Sequence, residues 1–385
     1  MRLSTKLRVR CAAVHIDNTA IAVESKFQTH YPAIALRKHN DAGVHTYRIP
    51  GLVTTNRGSL IAVYDVRKNG SVDLQEDIDI GMSRSTNGGN SWEEMKIIAD
   101  MGEWEGLGHS ENGIGDPSIL VDRNEGTIWV AGIWAHGHPG KRNWHASGPG
   151  LSPDSTSQLM LVKSDDDGIT WSDPINITSQ VKRPEWYLLL QGPGKGITLR
   201  NGTLVFPAQF KDENQIPHAT IIYSPDHGES WKIGSGAKSQ TTESQVVELS
   251  DGSLMLNMRD DRGGSRSVFI THDMGKNWQE HSSSRSALPE PICMASLIRH
   301  EYRNQSLLIF SNPADTGARR NITIKLSFDE GKSWPESYHT RIDSGTGRGY
   351  SCLTSIDPDT IAILYEGSRA DLVFQKFALT DLLKE

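Results

Sequence analysis

Five copies of one eight-residue pattern recur along the chain and restrict its architecture more than any other feature. The pattern is Ser/Thr-x-Asp-x-Gly-x-Ser/Thr-Trp, with Asn87 replacing the Asp in the first copy and Asn277 the second Ser/Thr in the fourth. The copies, called turn boxes below, span residues 85–92, 164–171, 224–231, 271–278 and 327–334. Asp and Gly at fixed offsets favour a tight turn, which the following Trp can cover. We therefore expect the turn boxes to serve the fold and not catalysis.

A second pattern lies between the turn boxes and consists of a turn, a small residue and a short apolar run. Six segments of this kind begin at Arg57, Glu125, Asn201, Asp251, Asn304 and Pro358. Each predicts a buried strand that is entered through a tight turn. A unit repeated at this spacing is typical of propellers and solenoids. Because helix-period segments are nearly absent, the sequence predicts an all-β fold, a six-bladed β-propeller with four strands in each blade.

The repeats predict one propeller domain over residues 31–385, because each blade needs about 40 to 60 residues. Residues 1–30 are basic and then mildly apolar, but Asp17 and Asn18 interrupt what would be the core of a signal peptide. Three interpretations of this segment stay open: an arm of uncertain structure, a strand that closes the last blade, or a scar of truncation.

The composition excludes several classes of function. A net charge of −7 argues against a nucleic-acid-binding surface, and no apolar run is long enough for a transmembrane helix. Three cysteines give no disulfide framework. The histidines His136, His138 and His145 cluster in a loop with Gly and Pro, without the ligand spacing on a rigid element that a metal site favours. We expect no metal and no cofactor.

The tetrapeptide Tyr47-Arg48-Ile49-Pro50 stands before the first apolar run, and the turn boxes follow it. This combination resembles the sialidase (exo-α-sialidase, neuraminidase) family from about residue 30 to the C-terminus. The resemblance implies the family's six-bladed propeller, in agreement with the number of apolar runs. It also implies a secreted or periplasmic protein, although the chain shows no clear signal peptide.

Members of this family hold the carboxylate of sialic acid with three arginines, which the resemblance places at Arg48, Arg259 and Arg319. Arg320 is the alternative for the third position, since a shift of one residue in a strand reverses the face of a side chain. The Arg-x-Asn spacing favours Arg319. Arginine suits the task because its planar, permanently charged guanidinium binds a carboxylate with two hydrogen bonds.

The segment GRGYSCLTS resembles the family's Tyr-Ser-x-Leu motif and makes Tyr350 the candidate nucleophile. Sialidases are glycosidases with a Tyr nucleophile. An anionic Asp or Glu would be repelled by the carboxylate on the anomeric carbon of sialic acid, whereas a neutral phenol is not. Free Tyr has a pKa near 10 and needs a base, which by resemblance is Glu243. We expect the nearby arginines to favour the phenolate.

The candidate general acid/base is Asp73, which lies six residues after Arg67 in an acidic loop with the family's spacing. Glu76, Asp77 and Asp79 in the same loop are alternatives. Arg67 is expected beside a ring hydroxyl of the sugar.

The other walls of the site are less specific in the sequence. Trp134 and Trp144 are candidates for an apolar wall around the N-acetyl methyl group, or alternatively for core positions. Gln191 and Gln209 are candidates for hydrogen bonds to the sugar.

Together these residues predict an exo-α-sialidase that releases terminal sialic acid from glycoproteins, glycolipids and oligosaccharides, with retention, through a covalent tyrosyl intermediate. An intramolecular trans-sialidase or a sialyl-transferring enzyme on the same fold is the alternative. A non-catalytic propeller that binds acidic glycans is the alternative from another class. The expected partners are sialylated glycans, not nucleic acid, and we expect a monomer.

Overall fold

A computed structural model describes residues 31–138 and 141–384, which form the six blades of a β-propeller, each built on four antiparallel strands. This confirms the predicted all-β, six-bladed fold. The N-terminal segment of residues 1–30 lies outside the described residues, so its predicted separation from the propeller stays a prediction. The helices are short: Asn143–Ala146, Thr178–Val181 and Leu379–Leu383, with 3₁₀ turns at Asp41–Gly43, His109–Glu111 and Glu336–Tyr338. None of the described helices is long and apolar enough to cross a membrane.

The blades are numbered in chain order from the first complete sheet, and the strands of each are given from its first strand outward. Blade 1 consists of Thr46–Thr54, Leu60–Arg67, Ile78–Ser85 and Lys96–Ala99. Blade 2 consists of Ile114–Val121, Ile128–Trp134, Gln158–Ser164 and Ile175–Asn176. Blade 3 consists of Leu188–Gln191, Leu204–Lys211, Pro217–Ser224 and Lys232–Ile233. Blade 4 consists of Thr241–Glu248, Leu254–Asp260, Ser267–Thr271 and Gln279–Glu280. Blade 5 consists of Ser296–Tyr302, Gln305–Pro313, Arg320–Ser327 and His339–Thr346. Blade 6 consists of Ser351–Asp357, Thr360–Tyr365, Leu372–Ala378 and Ile34–Arg37. Short pairings add Gly194–Lys195 to blade 2 and Ile197–Thr198 to blade 3, and join Gly264–Ser265 to Pro289–Glu290. The six predicted apolar runs form the second strand of each blade.

The sixth blade explains why there are five turn boxes for six blades. Each turn box joins the third strand of a blade to its fourth strand. In blade 6 the fourth strand is Ile34–Arg37, which comes from the opposite end of the chain and pairs antiparallel with Leu372–Ala378. No turn is needed there, and the ring of blades is closed by hydrogen bonds between the two ends of the propeller.

The turn boxes fold as their residues predict. In the third box, Asp226 Oδ1 accepts hydrogen bonds from the Ser230 N–H at 2.9 Å and from the Ser224 hydroxyl at 2.8 Å. The Ser224 hydroxyl in turn accepts the Gly228 N–H at 2.8 Å. The hydrogen bonds from Ser230 hold the pKa of Asp226 below its ordinary value. The carboxylate of Asp226 thus stabilises the turn through hydrogen bonds to residues of the same box.

The turn boxes also fit each blade to the blade before it. A methyl group placed on the box glycine would meet a side chain of the preceding blade in every box. The pairs are Gly89 with Phe374, Gly168 with Ile61, Gly228 with Trp129, Gly275 with Ile221, and Gly331 with Met255. Because five of the six junctions between blades are packed in this way, the boxes fix how neighbouring blades stack.

Replacing Gly228 with Ala is therefore expected to destabilise the propeller more than the same change at Gly58. Both glycines have positive φ, +95° and +80°, so backbone strain is common to the two variants. The new methyl group would overlap the indole of Trp129 at Gly228 but meets nothing within 4 Å at Gly58. Urea denaturation should show an extra loss of about 1–3 kcal/mol in the free energy of unfolding for Gly228→Ala. Equal losses would show that the box does not support the blade junction.

Candidate active site

A cleft of about 450 Å³ opens where the loops and strand ends of several blades meet. Its lining includes all six residues that the sequence analysis assigns to catalysis or to the carboxylate, namely Arg48, Asp73, Glu243, Arg259, Arg319 and Tyr350. The lining residues are Arg48, Ile49, Asp73, Leu74, Asp116, Arg142, Asn143, Trp144, His145, Leu188, Leu190, Gln209, Thr242, Glu243, Arg259, Asp261, Arg319 and Tyr350. From Arg48 to Tyr350 these predicted residues span about 300 positions of the sequence, and the propeller fold brings them to one cleft.

Arg48 reaches the cleft because the first strand of blade 1 is interrupted by a bulge. Arg48 pairs with Asp65, and the next paired residue is Gly51, opposite Val63, so one extra residue is inserted. Ile49 takes a φ of +58°, which is rare for a β-branched residue. Its N–H donates to Glu366 Oε1 at 3.0 Å. The Arg-Ile-Pro sequence thus turns the strand and directs the side chain of Arg48 into the cleft.

The buried carboxylate of Glu366 holds the guanidinium of Arg48 in place. Arg48 donates to its two carboxylate oxygens at 2.9 and 3.3 Å, and the Tyr350 N–H donates to it at 3.1 Å. Burial alone would raise the pKa of Glu366, but Arg48 and the backbone donors lower it. The carboxylate is therefore ionised and holds the first arginine and the Tyr350 backbone in a fixed geometry.

Three guanidinium groups surround Tyr350, which stands directly before the first strand of blade 6. The Cζ atoms of Arg48 and Arg319 lie 5.2 and 5.6 Å from the centre of its ring. Arg259 donates to its hydroxyl oxygen at 3.3 Å. These arginines belong to blades 1, 4 and 5 or the loops beside them. A cluster of three cations at one point favours an anionic ligand.

The Tyr350 hydroxyl donates a hydrogen bond to Glu243 Oε1, and Arg259 donates to Glu243 Oε2 at 2.8 Å. Glu243 is aimed at Tyr350 by a second bulge, between Thr241 and Ser244 in the first strand of blade 4. Burial and the charge of Glu243 raise the pKa of Tyr350 well above its ordinary value, although Arg259 and Arg48 lower it. The arginines thus favour the phenolate as expected, but burial and the charge of Glu243 outweigh them, so Tyr350 is a neutral phenol beside a carboxylate.

The structure places Arg319 and not Arg320 in the cleft. Arg319 donates to the Arg348 carbonyl at 3.1 Å and to the Ile292 carbonyl at 3.0 Å, contacts that hold its guanidinium over Tyr350. Arg320 begins the third strand of blade 5 and pairs with Asp315 at 2.6 Å on the surface. Among the described residues, no carboxylate pairs with Arg319, so its charge is available to a ligand.

Asp73 stands at the mouth of the cleft with half of its side chain exposed. Its Oδ1 accepts from Arg67 at 2.9 Å and lies 3.4 Å from Arg48. Burial would raise the pKa of Asp73, but the two arginines lower it. Arg67 itself is buried between Asp73 and Asp65, with the Asp65 bond at 2.7 Å, and does not line the cleft. Arg67 holds Asp73 in place from behind, in contrast to its predicted position beside the sugar.

The alternative acidic residues of the same loop are used elsewhere. Asp79 is buried and pairs with Lys68 at 2.7 Å. Asp77 lies 4.0 Å from the same lysine, and Glu76 accepts the Asp77 N–H. None of the three lines the cleft, which leaves Asp73 as the acidic residue of this loop that does.

An apolar wall formed by Trp144, Leu188 and Leu190 faces the arginines. Trp134, the other predicted tryptophan, is instead buried in the core, with its ring 5.6 Å from that of Trp104. Of the two predicted tryptophans, Trp144 therefore lines the cleft, and the segment between the second and third strands of blade 2 carries it there.

Gln191 is also displaced from its predicted position in the cleft. Leu188 and Leu190 face the cleft, and successive side chains of a strand alternate between faces, so Gln191 points away and donates to the Asp116 carbonyl. Gln209 pairs with Leu190 across the sheet and shares its face. Gln209 therefore lines the cleft where Gln191 does not.

Asp116 is a cleft residue that the sequence analysis did not single out. It lies at a third bulge, in the first strand of blade 2, and has a φ of +56°. Like Ile49, it combines a positive φ with a proline as the next residue. Burial and the neighbouring Asp65 and Asp73 raise its pKa well above the ordinary value. The ionised form of Asp116 is thus disfavoured. The signal that could have identified Asp116 is the proline that follows it in the first strand of its blade, as Pro50 follows Ile49.

Comparison with known proteins points to one family. The model of the BNR repeat-like domain matches residues 58–359. A sialidase from Bacteroides fragilis is 50% identical over 99% of this chain and 72% of its own length. A sialidase from Micromonospora viridifaciens is 32% identical over 84% of this chain and 50% of its own length.

The solved structures agree with this similarity. The Hadza microbial sialidase Hz136 is 55% identical, with a TM-score of 0.89 over 90% of this chain and 68% of its own. A Trypanosoma rangeli sialidase, solved with 2,3-difluorosialic acid as a covalent intermediate, is 21% identical with a TM-score of 0.76 over 94% of this chain and 60% of its own. At this identity the second structure supports the fold alone.

Proposed function

We propose that this chain, which belongs to the sialidase family and is an exo-α-sialidase, hydrolyses terminal sialosides with retention through a covalent bond to Tyr350. The observation that carries the mechanism is the contact of Tyr350 with a carboxylate base, Glu243, within a ring of three guanidinium groups. A carboxylate-bearing sugar neutralises the arginines at the point where it meets the nucleophile. The substrates are the sialylated ends of glycoproteins, glycolipids and oligosaccharides.

In the first step, the carboxylate of the sugar binds Arg48, Arg259 and Arg319. Tyr350 Oη attacks the anomeric carbon as its proton passes to Glu243. The bond from the anomeric carbon to the glycosidic oxygen breaks, and that oxygen takes the proton of Asp73. The arginines stabilise the substrate carboxylate next to an anomeric carbon that becomes cationic in an oxocarbenium-like transition state.

In the second step, Asp73 takes a proton from water, and the water oxygen attacks the anomeric carbon from the side that the leaving group vacated. The bond to Tyr350 breaks, and the phenol regains its proton from Glu243. Two displacements at one carbon give retention of configuration.

Asp73 must be protonated for the first step, although Arg67 and Arg48 lower its pKa. A bound substrate carboxylate removes part of this effect, because it neutralises Arg48, which lies 3.4 Å from Asp73. We propose that substrate binding raises the pKa of Asp73 and so prepares the acid. Arg67, at 2.9 Å and buried, keeps the carboxyl in place throughout.

The same cleft supports proposals for the rest of the sugar. Trp144, Leu188 and Leu190 form an apolar surface that suits the N-acetyl methyl group, and the carboxyl of Asp116 lies within reach of a polar ring substituent. A non-catalytic glycan-binding propeller is disfavoured, since such a protein needs no base bonded to Tyr350. We also propose that the enzyme acts as a monomer, which light scattering of the full chain can test.

Turnover of a fluorogenic aryl sialoside tests the activity, and NMR of the first product tests the mechanism. Retaining hydrolysis should give the α-anomer of free sialic acid before it mutarotates. A 2,7-anhydro sugar as the main product would instead identify an intramolecular trans-sialidase. The β-anomer as the first product would contradict a covalent intermediate.

Replacing Arg319 with Met should lower kcat/KM by about 10- to 100-fold, the effect of losing one or two charged hydrogen bonds. The adjacent change Arg320→Met is the matched control and should stay within about twofold of the wild type, because Arg320 pairs with Asp315 on the surface. Steady-state kinetics with one sialoside compares the two variants. A larger loss for Arg320→Met would reverse the assignment of the third arginine.

A further inference from the structure

We infer that Glu105, His136 and Asp154 bind one divalent transition-metal ion of the Zn²⁺ class at a site separate from the catalytic cleft. One ligand atom of each residue lies within 4.8 Å of the other two. Glu105 precedes blade 2, His136 follows its second strand, and Asp154 lies in the long segment before its third strand. Three separate parts of the chain therefore meet at this cluster, and none of the three residues lines the cleft.

The imidazole of His136 is oriented as a metal ligand. Asn112 donates through Nδ2 to the Leu107 and Gly108 carbonyls, at 3.1 and 3.0 Å, which fixes its Oδ1 as the acceptor toward His136 Nδ1 at 2.8 Å. Nδ1 therefore carries the proton, and Nε2 keeps its lone pair in the neutral ring. An imidazole whose second nitrogen donates to a fixed oxygen is the usual arrangement of metal-bound histidine.

The Nε2 atom is directed at the two carboxylates. The side chain of His136 is 5% exposed, and Nε2 makes no hydrogen bond within the part of the chain that is described. Asp154 Oδ1 lies 3.6 Å away, beyond a hydrogen bond. Two ligand atoms of one tetrahedral Zn²⁺ are about 3.4 Å apart, from bond lengths of about 2.1 Å. The separation thus suits a shared ion better than a direct contact.

The other carboxylates that pair with histidine in the described residues do so singly. The pairs are His109 with Asp100, His218 with Asp212, and His227 with Asp122. Only the group at His136 adds a second carboxylate, Glu105. Glu105 and Asp154 are both exposed, so solvent can complete the coordination. A neighbouring cavity of about 10 Å³, lined by His136, has room for about one water molecule.

The donor set selects the class of metal. One imidazole and two carboxylates suit Zn²⁺ and related transition metals, whereas Ca²⁺ and Mg²⁺ prefer oxygen ligands only. His136, His138 and His145 predicted no metal site, because they lie in a loop with Gly and Pro and lack the ligand spacing on a rigid element. The structure separates His145 from His136, since His145 lines the catalytic cleft whereas His138 lines the same small cavity as His136. The carboxylates of Glu105 and Asp154 come from other segments of the chain.

The position of the site suggests what the ion does. The chain between His136 and Asp154 carries Arg142 and Trp144 into the cleft. An ion that joins both ends of this segment to Glu105 would fix its base on blade 2. We therefore expect a structural ion that raises stability, because a ligand that binds the folded state alone stabilises it.

Calorimetric titration of Zn²⁺ into the tag-free, chelator-treated full chain tests the site, together with the melting temperature. The double variant Glu105→Gln/Asp154→Asn removes two ligands with little change of shape, and both side chains are exposed, so folding should be kept. Wild type should bind one equivalent more tightly than the double variant by at least about tenfold. Zn²⁺ should raise the melting temperature of the wild type and not that of the double variant.

The variant Asp100→Asn is the matched control, because it removes the carboxylate of an exposed His–Asp pair at 3.5 Å and should bind Zn²⁺ like the wild type. Equal affinity and stoichiometry in wild type and double variant would overturn the proposal. Tighter binding of Ca²⁺ than of Zn²⁺ would overturn the role of His136 as a ligand.

Discussion

Replacing Tyr350 with Phe is expected to lower kcat by at least about 10³-fold while sialic acid still binds, because losing a nucleophile removes the covalent route. The change deletes one oxygen, the atom that contacts Glu243 and Arg259. The ring stays, and with it the stacking of Arg48 and Arg319 that shapes the carboxylate site. Steady-state kinetics should show the loss, and calorimetry with sialic acid should show binding within a few-fold of wild type.

Tyr365→Phe is the matched control, since Tyr365 is a fully buried tyrosine whose hydroxyl has no hydrogen-bond partner in the described structure. This variant should keep its activity and its fold. If Tyr350→Phe kept more than about one tenth of the wild-type kcat, Tyr350 could not be the nucleophile in a mechanism of this kind.

Replacing Asp73 with Asn should cost about 10²- to 10⁴-fold in kcat/KM for sialyllactose, the usual contribution of a general acid. The loss should be much smaller for an aryl sialoside, because a phenolate leaves without protonation. The pH profile should change as well. Wild-type activity falls as pH rises through the pKa of Asp73 in the complex, and this alkaline fall should disappear in the variant for the aryl substrate.

Asp77→Asn makes the same change in the same loop, four residues along, where the carboxyl lies near Lys68 outside the cleft. It should stay within a few-fold of wild type with both substrates. An equal loss for sialyllactose and the aryl sialoside in Asp73→Asn would show that Asp73 binds substrate but does not protonate the leaving group.

The fold could be predicted because its signals are local. A turn box needs only Ser, Asp and Gly at fixed offsets, and the contacts of Asp226 all lie within a few residues of it. What the pattern does not reveal is the packing of Gly228 against Trp129 of the preceding blade. The closing strand Ile34–Arg37 escapes a search for turn boxes for the same reason, since its partner strand is at the other end of the chain.

Site residues could be predicted where a sequence motif contains them. They could not be predicted where the alternation of side chains along a strand determines which residue faces the cleft. Arg48, Glu243, Arg259 and Tyr350 lie in short motifs, and the structure brings them to one cleft. Gln191 and Gln209 are equally plausible in sequence, and only the pleat shows which of the two faces a ligand. These placements are geometric, and the chemical roles of the residues stay proposals that the variants test.

Electrostatics was the least predictable part of the site, since it depends on burial. The family resemblance places three arginines and Glu243 around Tyr350, but it does not show that the hydroxyl is buried, and burial together with the charge of Glu243 raises the pKa of Tyr350. Asp116 shows the same effect, because burial raises its pKa together with Asp65 and Asp73, which lie more than 40 positions away in the chain.

Mass spectrometry of the enzyme treated with 2,3-difluorosialic acid tests the proposed mechanism most directly. Fluorine at C3 slows both displacements, and fluoride at C2 leaves without protonation, so the covalent intermediate should accumulate. We predict one added sugar per chain, on the peptide that contains Tyr350, and none on Tyr350→Phe. A sugar bound to Glu243 or Asp73, or an active enzyme that forms no adduct, would contradict Tyr350 as the nucleophile.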